Sequence, residues 1–254
     1  MAKTILITGS TDGIGLLTAK TLKAQGHHVI LHGRNAAKLT AAANELGGDV
    51  ATYGADLSSL SATRDLARAI AENHSQIDVL INNAGVFKTA DPILANGQDV
   101  RFVVNTLAPY ILTKALLPVI PQDGRVLNLS SAAQAPVNLH ALKGEVRLGD
   151  MDAYSQSKRA ITIWSHMIAR DLSDGPVVLS VNPGSLLASK MVKEGFGVAG
   201  NDLQIGADIL CRLALDASFT ADTGKYWDND SGGFGPVVTA DAAELMATIE
   251  TLIS

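Results

Sequence analysis

The sequence predicts one α/β domain over residues 1–254, a doubly wound parallel sheet with helices on both faces. Two observations carry this. Short apolar or β-branched runs alternate with alanine-rich helical stretches throughout, with no Pro/Ser-rich linker, charge run or internal repeat between them. The apolar runs are near-continuous rather than alternating, the pattern of strands covered on both faces. In order, residues 5–8 read as the first strand and 14–25 as a helix entered through a glycine-rich turn. Residues 29–31 form a second strand, 36–46 a helix and 50–53 a third strand. Ser58 can cap a helix that runs to about Asn73. Residues 79–82 are a fourth strand, followed by a long helix over 99–119 that ends near Pro121. A fifth strand spans 125–129, and a helix carrying Tyr154 and Lys158 runs to about Leu172. Residues 177–181 give a sixth strand, 203–217 a helix and 225–227 a last short strand. Such sheets bind ligands at the carboxyl ends of their strands, where the strand order reverses.

Hydrophobic residues make up 47% of the chain, and its formal charge of −5 comes with no basic block, so no nucleic-acid partner is expected. The single cysteine, Cys211, falls among Ile209, Leu210, Leu213 and Ala214 and reads as a buried apolar side chain. The first strand begins almost at once, and neither a signal segment nor an apolar run of spanning length is read. The expectation is a soluble cytoplasmic protein without a membrane partner. His27, His28, His32, His74, His140 and His166 lack metal-ligand spacing, so neither a metal site nor a catalytic histidine is expected.

The turn after the first strand contains Gly9, Ser10, Thr11, Asp12, Gly13, Ile14 and Gly15. Its G-x-x-x-G-x-G spacing is one residue longer than the G-x-G-x-x-G dinucleotide fingerprint. Gly9 allows the tight turn, Gly13 lets the backbone approach a pyrophosphate, and Gly15 lets helix and strand pack closely. The helix N-terminus supplies N–H groups and partial positive charge. This turn predicts a Rossmann-type cofactor site. At the end of the second strand, where a cofactor without a 2′-phosphate usually meets an acid, stand Gly33, Arg34 and Asn35. A guanidinium forms paired hydrogen bonds with a phosphate, so NADP(H) is expected over NAD(H). Asp56 and Leu57 follow the third strand. Two readings of Asp56 stand, one as acceptor for an adenine amino group and one as a helix cap shared with Ser58.

Tyr154 and Lys158 lie four residues apart, which places both on one helix face. A phenol has an ordinary pKa of about 10, and a neighbouring cation favours its ionised form. Hydride chemistry belongs to the cofactor, so the protein must supply a proton and stabilise developing charge on oxygen.

Taken together, these motifs resemble the short-chain dehydrogenase/reductase family along essentially the whole chain. The glycine turn matches its cofactor motif, and Asn82-Asn83-Ala84-Gly85 its fourth-strand motif. Asn105 stands where the family keeps a helix asparagine. Ser130-Ser131 matches the end of its fifth strand, Tyr154 and Lys158 its active-site pair, and Asn182-Pro183-Gly184 the turn beside the nicotinamide. The resemblance implies that Tyr154 is the general acid in reduction and the base in oxidation. Lys158 would bind the nicotinamide ribose and lower the tyrosine pKa, Ser131 would polarise the carbonyl, and Asn105 would hold a water linking Lys158 to solvent. Two alternatives stay open: Ser130 pointing toward substrate, and Asn105 bracing the sheet. The implied cofactor contacts extend to Asn83, Ala84, Gly85, Tyr154, Lys158, Pro183, Gly184 and Ser185.

The interval from Ser131 to Tyr154 is 154 − 131 = 23 residues, longer than the family's commonest spacing by about ten, so a loop bulges ahead of the catalytic helix. That loop, 132–152, and the tail with Gly224-Lys225-Tyr226-Trp227 resemble the retinol-dehydrogenase-like branch, without implying a retinoid substrate. Ala188 stands where the family often places a threonine, leaving Ser185, Ser189 or backbone groups to meet the nicotinamide amide. Residues 186–201 mix Leu187, Met191, Val192 and Phe196 with three glycines, and read equally as a lid over an apolar substrate or as a loop on its own core. Gln134, Val137, Asn138 and Leu139 can line the other side of the pocket. Ile161, Trp164 and Ile168, with the helix at 106–117, can form a four-helix contact in a homodimer or homotetramer, or face the sheet as core. The expected activity is NADP(H)-dependent hydride transfer between nicotinamide and a carbonyl or alcohol of an apolar small molecule. The alternatives are reduction of a conjugated carbon–carbon double bond and an NADPH-sensing module without turnover.

Overall fold

The computed structural model describes residues 1–188, 197 and 199–254. The chain runs β1 (Thr4–Ile7), α1 (Gly13–Ala24), β2 (His28–Gly33), α2 (Ala36–Glu45), β3 (Ala51–Gly54), α3 (Leu60–Asn73) and β4 (Val79–Asn82). A long helical run, α4 (Val100–Val119), leads to β5 (Arg125–Leu129). The short α5 (Leu139–Leu142) and long α6 (Asp150–Asp171) precede β6 (Val177–Asn182). Last come α7 (Leu203–Leu215), β7 (Tyr226–Asp228), β8 (Gly233–Gly235) and α8 (Ala242–Ile253). The described strands make one sheet in the order β3-β2-β1-β4-β5-β6-β7-β8. It is parallel except for the antiparallel β7–β8 pair. The chain goes outward from β1 to β3, then returns to β4, so the order reverses between β1 and β4 and a crevice opens above their carboxyl ends.

Each central strand sends alternate side chains into one of two cores. Leu6, Leu80, Val126 and Val178 share a core with Phe102 and Tyr110 of α4, Trp164 of α6 and Leu245 of α8. Ile5, Ile7, Val79, Ile81, Leu127 and Leu179 share the other with Leu22 of α1 and Leu210 of α7. Both faces are covered, which is why the strands read as unbroken apolar runs. Each such side chain contributes roughly 1.5–3 kcal/mol by leaving water.

Several expectations are corrected. Ser59, not Ser58, caps α3: its side chain accepts the Ala62 N–H at 3.3 Å. The Ser58 N–H goes instead to Asp56 Oδ1 at 2.9 Å. The sheet does not end at the seventh strand, because Gly233-Phe234-Gly235 adds an antiparallel edge strand, held as Phe234 stacks edge-on against Trp227 at 5.2 Å. Two glycines around one aromatic hide such a strand in the sequence. The helix α8 was also not anticipated. By length and composition Val100–Val119 is apolar enough to cross a bilayer, contrary to the sequence reading, yet it is a core helix of this sheet, 72% buried. Ile161, Trp164 and Ile168 are at most 6% exposed. They belong to the same core as Leu245 and Ile249 of α8, which is the second of the two readings, that of these residues as core.

Candidate active site

The cofactor-binding half is built from backbone. Gly13 has φ +54, and a side chain there would meet nothing within 4 Å, so its conformation and an open approach at the α1 N-terminus demand glycine. A Cβ on Gly15 would lie 2.4 Å from Asn83 Nδ2 and 2.5 Å from Gly9 O. Asn83 Nδ2 itself donates to Thr8 O (2.8 Å) and Gly9 O (3.0 Å), and Ala84 N–H donates to Thr8 Oγ1 (3.0 Å). Asn83, Ala84 and the turn are therefore one unit. Ser10 is fully buried, its hydroxyl accepting the His32 N–H (3.0 Å). Its own N–H donates to His32 O at 3.0 Å. Its side chain thus shapes the turn and is turned away from solvent. Asp12 caps α1 through the Gly13 N–H (2.8 Å) and pairs with Lys38 at 3.2 Å. Ile14 lies over Gly206 of α7, where a Cβ would meet it at 3.3 Å.

His32, set aside by sequence reasoning, holds this turn in shape. Its Nδ1 accepts the Gly9 N–H at 3.2 Å, so the proton sits on Nε2, which donates to Ala55 O at 3.2 Å. Burial outweighs the help of that carbonyl and of Asp56, and lowers the pKa from 6.5 to about 4. A histidine inside an apolar strand one residue before Gly33 was the available signal. Beyond it Arg34 is exposed, and its guanidinium makes no hydrogen bond or ion pair among the described residues. Lys38, a second exposed cation on α2, was missed. Asn35 caps α2 by accepting the Lys38 N–H (3.0 Å), and Leu57 is buried. An open glycine turn at a helix N-terminus suits the pyrophosphate of a nicotinamide dinucleotide.

The reaction half is built from side chains of distant segments that meet on α6. Lys158 Nζ donates to Leu129 O at the end of β5 (2.7 Å). Ser130 Oγ donates to Lys158 O (2.8 Å) and contacts Thr162 Oγ1 (2.7 Å). Ser130 is thus a buried tie from β5 to α6, and the alternative of Ser130 facing substrate is closed. From α4, Asn105 Nδ2 donates to Ser157 Oγ (3.0 Å) and Val86 O (2.9 Å), and its Oδ1 accepts the Val86 N–H (2.8 Å). Asn105 braces the segment after β4 against α6. It sits in a π-helical turn, Val103–Leu107, the kind of helix irregularity that gathers at functional sites. Gly85 lies beside Lys158 and Asn105, where a Cβ would be in ordinary contact with Nζ at 3.5 Å and Asn105 Oδ1 at 3.4 Å. At the α6 N-terminus, buried Arg101 of α4 pairs with Asp150 (2.5 Å) while held by Asp99 (2.6 Å).

The Ser131 hydroxyl, which accepts the Ala133 N–H at 3.1 Å, favours the ionised form of the Tyr154 phenol. Burial raises the Tyr154 pKa, and the influence of Ser131 only partly offsets this. The expectation that Lys158 lowers it is not met in this arrangement: the amine, 5.7 Å from the ring centroid, is directed to Leu129 O. Burial in turn lowers Lys158 from 10.5 to about 8. Phe87 packs 5.0 Å from the Tyr154 ring, a neighbour the sequence did not announce. The Ser131 carbonyl is fixed by Tyr226 Oη–H (3.0 Å) and Gln134 Nε2 (3.0 Å). In the long loop, Asn138 caps α5 by accepting the His140 N–H (2.9 Å), and its own N–H goes to Gln156 Oε1 (2.9 Å).

The turn 183–185 follows β6, and Asn229 and Asp230, just past β7, bind it. Most of the expected lid, including Ser189, Met191, Val192 and Phe196, lies outside the described residues. Its two ends are tied together: Ala188 N–H donates to Asn201 O and Asn201 N–H to Leu186 O, at 2.7 and 2.6 Å. Among the described residues no cluster of three or more His, Cys, Asp or Glu forms that could hold a metal.

A dinucleotide turn and a Ser–Tyr–Lys set at the carboxyl ends of one parallel sheet define an oxidoreductase of the nicotinamide type. The short chain dehydrogenase family model matches residues 3–196. Human retinol dehydrogenase 13 is 34% identical over 251 residues, covering 89% of this chain and 76% of its own. A crystal structure of an uncharacterized Mycobacterium paratuberculosis protein has 29% identity and TM-score 0.81, over 99% of this chain and 93% of that one. A short-chain dehydrogenase of Escherichia coli CFT073 complexed with NADPH has 28% identity and TM-score 0.71, over 89% and 96%. The chain belongs to the short-chain dehydrogenase family, in its retinol-dehydrogenase-like branch.

Proposed function

We propose that this oxidoreductase uses NADPH to reduce a ketone or aldehyde of an apolar small molecule, with Tyr154 as proton donor. One observation carries the reading. The Tyr154 phenol is held above its ordinary pKa beside the Ser131 hydroxyl, so at neutral pH it is protonated and able to donate to a carbonyl oxygen. Bound NADPH would supply the hydride. Ser131 would polarise the same oxygen and Lys158 would bind the ribose hydroxyls, while Arg34 and Lys38 would meet the 2′-phosphate. The NADPH complex of the Escherichia coli relative supports the cofactor choice. The Phe87 ring against Tyr154 supports an apolar substrate wall. The test is NADPH consumption over a panel of apolar ketones, aldehydes and conjugated enones with product analysis. Alcohol formation supports the reading. Saturation of the enone double bond with the carbonyl intact, or NADPH binding without turnover on any compound, overturns it.

A further inference from the structure

We propose that Asp230 is a positioning residue for the nicotinamide end of the cofactor site, acting through the turn 183–185. This rests on the cofactor reading above. The turn lies at the carboxyl end of β6, beside β5, two residues after which Ser131 follows. Its polar groups are met by three residues about 45 positions later. The Asp230 carboxylate accepts the Ser185 N–H at 2.8 Å, the Ser185 hydroxyl at 2.5 Å and Asn182 Nδ2 at 2.8 Å. Asn182 Nδ2 also donates to Asp228 Oδ1 at 2.8 Å, and Asn182 Oδ1 accepts the Gly184 N–H at 3.3 Å. Asn229 Nδ2 donates to Pro183 O at 3.1 Å. The residue after the turn, Leu186, has φ +53, which side chains other than glycine's rarely adopt. A backbone so conformed persists where its surroundings determine it: Asp230 holds Ser185 on one side of Leu186, and the Asn201 N–H bonds Leu186 O.

The chemistry of Ser185 follows from this clamp. Its hydroxyl proton is committed to Asp230, so the oxygen can act only as an acceptor toward a ligand. A nicotinamide carboxamide presents N–H donors to such an acceptor. The adjoining strand also reaches the catalytic side, because Tyr226 of β7 donates to the Ser131 carbonyl at 3.0 Å. Burial acts against ionisation of Asp230, but the bonds from Ser185 and Asn182 outweigh it and keep the carboxyl below its ordinary value, charged at neutral pH.

The experiment measures affinity for NADPH, for its 3-acetylpyridine analogue, which lacks the amide donors, and for adenosine 2′,5′-bisphosphate, which lacks the nicotinamide end. The proteins are the parent chain, Asp230→Ala and Asp230→Asn, with kcat on a reducible carbonyl. In Asp230→Ala, kcat with NADPH should fall by about 10- to 100-fold. The bisphosphate should bind unchanged, and the parent's preference for NADPH over the analogue should shrink. Asp230→Asn, which keeps one acceptor for the Ser185 N–H, should lie between the two. Equal loss of bisphosphate and NADPH binding, or parent-like kcat and analogue preference in Asp230→Ala, overturns the proposal. A parent chain that binds neither nucleotide refutes the cofactor reading itself, and the role of Asp230 with it.

Discussion

The adenosine half and the reaction half of this site are assembled by opposite means. The first is mainly backbone close to the sequence start: a glycine turn, a helix N-terminus and the His32 imidazole that bonds both Gly9 and Ala55. The second is mainly side chains from segments far apart, with Asn105, Ser130 and Lys158 locking α4, β5 and α6 together. Recognition of a fixed pyrophosphate needs only close backbone approach, which glycine spacing encodes locally. Proton transfer needs a phenol, a hydroxyl and an ammonium in fixed relation, and that requires tertiary ties. The two halves should therefore fail separately when mutated.

The largest separation is expected in Tyr154→Phe. Loss of the proton donor should lower kcat by about 10²- to 10⁴-fold, while NADPH affinity by fluorescence titration stays near that of the parent. Equal loss of both would merge the halves. Arg34→Asp should do the reverse, weakening NADPH by about 10- to 100-fold with little change for NADH, because it exchanges charge-assisted phosphate bonds for repulsion. An unchanged cofactor preference would remove Arg34 from the site.

Two pH experiments sharpen the contrast. Lys158 is charged below about 8 and neutral above. The kcat/KM for NADPH should therefore decline as pH rises through about 8, and a flat profile to pH 10 would deny the ammonium a role. His32 is neutral in the fold down to about pH 4, whereas in the unfolded chain it gains a proton below about 6.5. Its contribution to stability is complete above 6.5 and is lost as pH falls from 6.5 to 4, up to roughly 3 kcal/mol. Denaturant unfolding of parent and His32→Asn across that window measures it; parallel curves would refute the assignment. The smallest effect is expected for Gly15→Ala, whose Cβ would press on Asn83 and Gly9. Overpacking of this kind destabilises by about 1–3 kcal/mol and should weaken NADPH binding with kcat at saturation preserved.

This division also explains what the sequence disclosed. The parallel sheet was legible because Ile5 to Ile7 and Val177 to Val181 are apolar on both faces, and the glycine turn because its information is local. Tyr154 and Lys158 were legible as a pair one helical turn apart. Their electrostatics were not, since burial and the direction of the Lys158 amine toward Leu129 depend on the end of β5. Asp230 was invisible because nothing in its neighbourhood points 45 residues back to Ser185. The C-terminal hairpin and α8 were missed for a related reason: Phe234 becomes strand only against Trp227, and Leu245 becomes core only against α4 and α6.

The central claim is that Tyr154 protonates a carbonyl oxygen as hydride reaches its carbon. Parent and Tyr154→Phe proteins, both saturated with NADPH deuterated at the transferable C4 position, should be compared on one apolar ketone by mass spectrometry of the product. The account predicts an alcohol carrying one deuterium on the carbinol carbon from the parent, and none above background from Tyr154→Phe. Deuterated alcohol formed at equal rates by both proteins would contradict it.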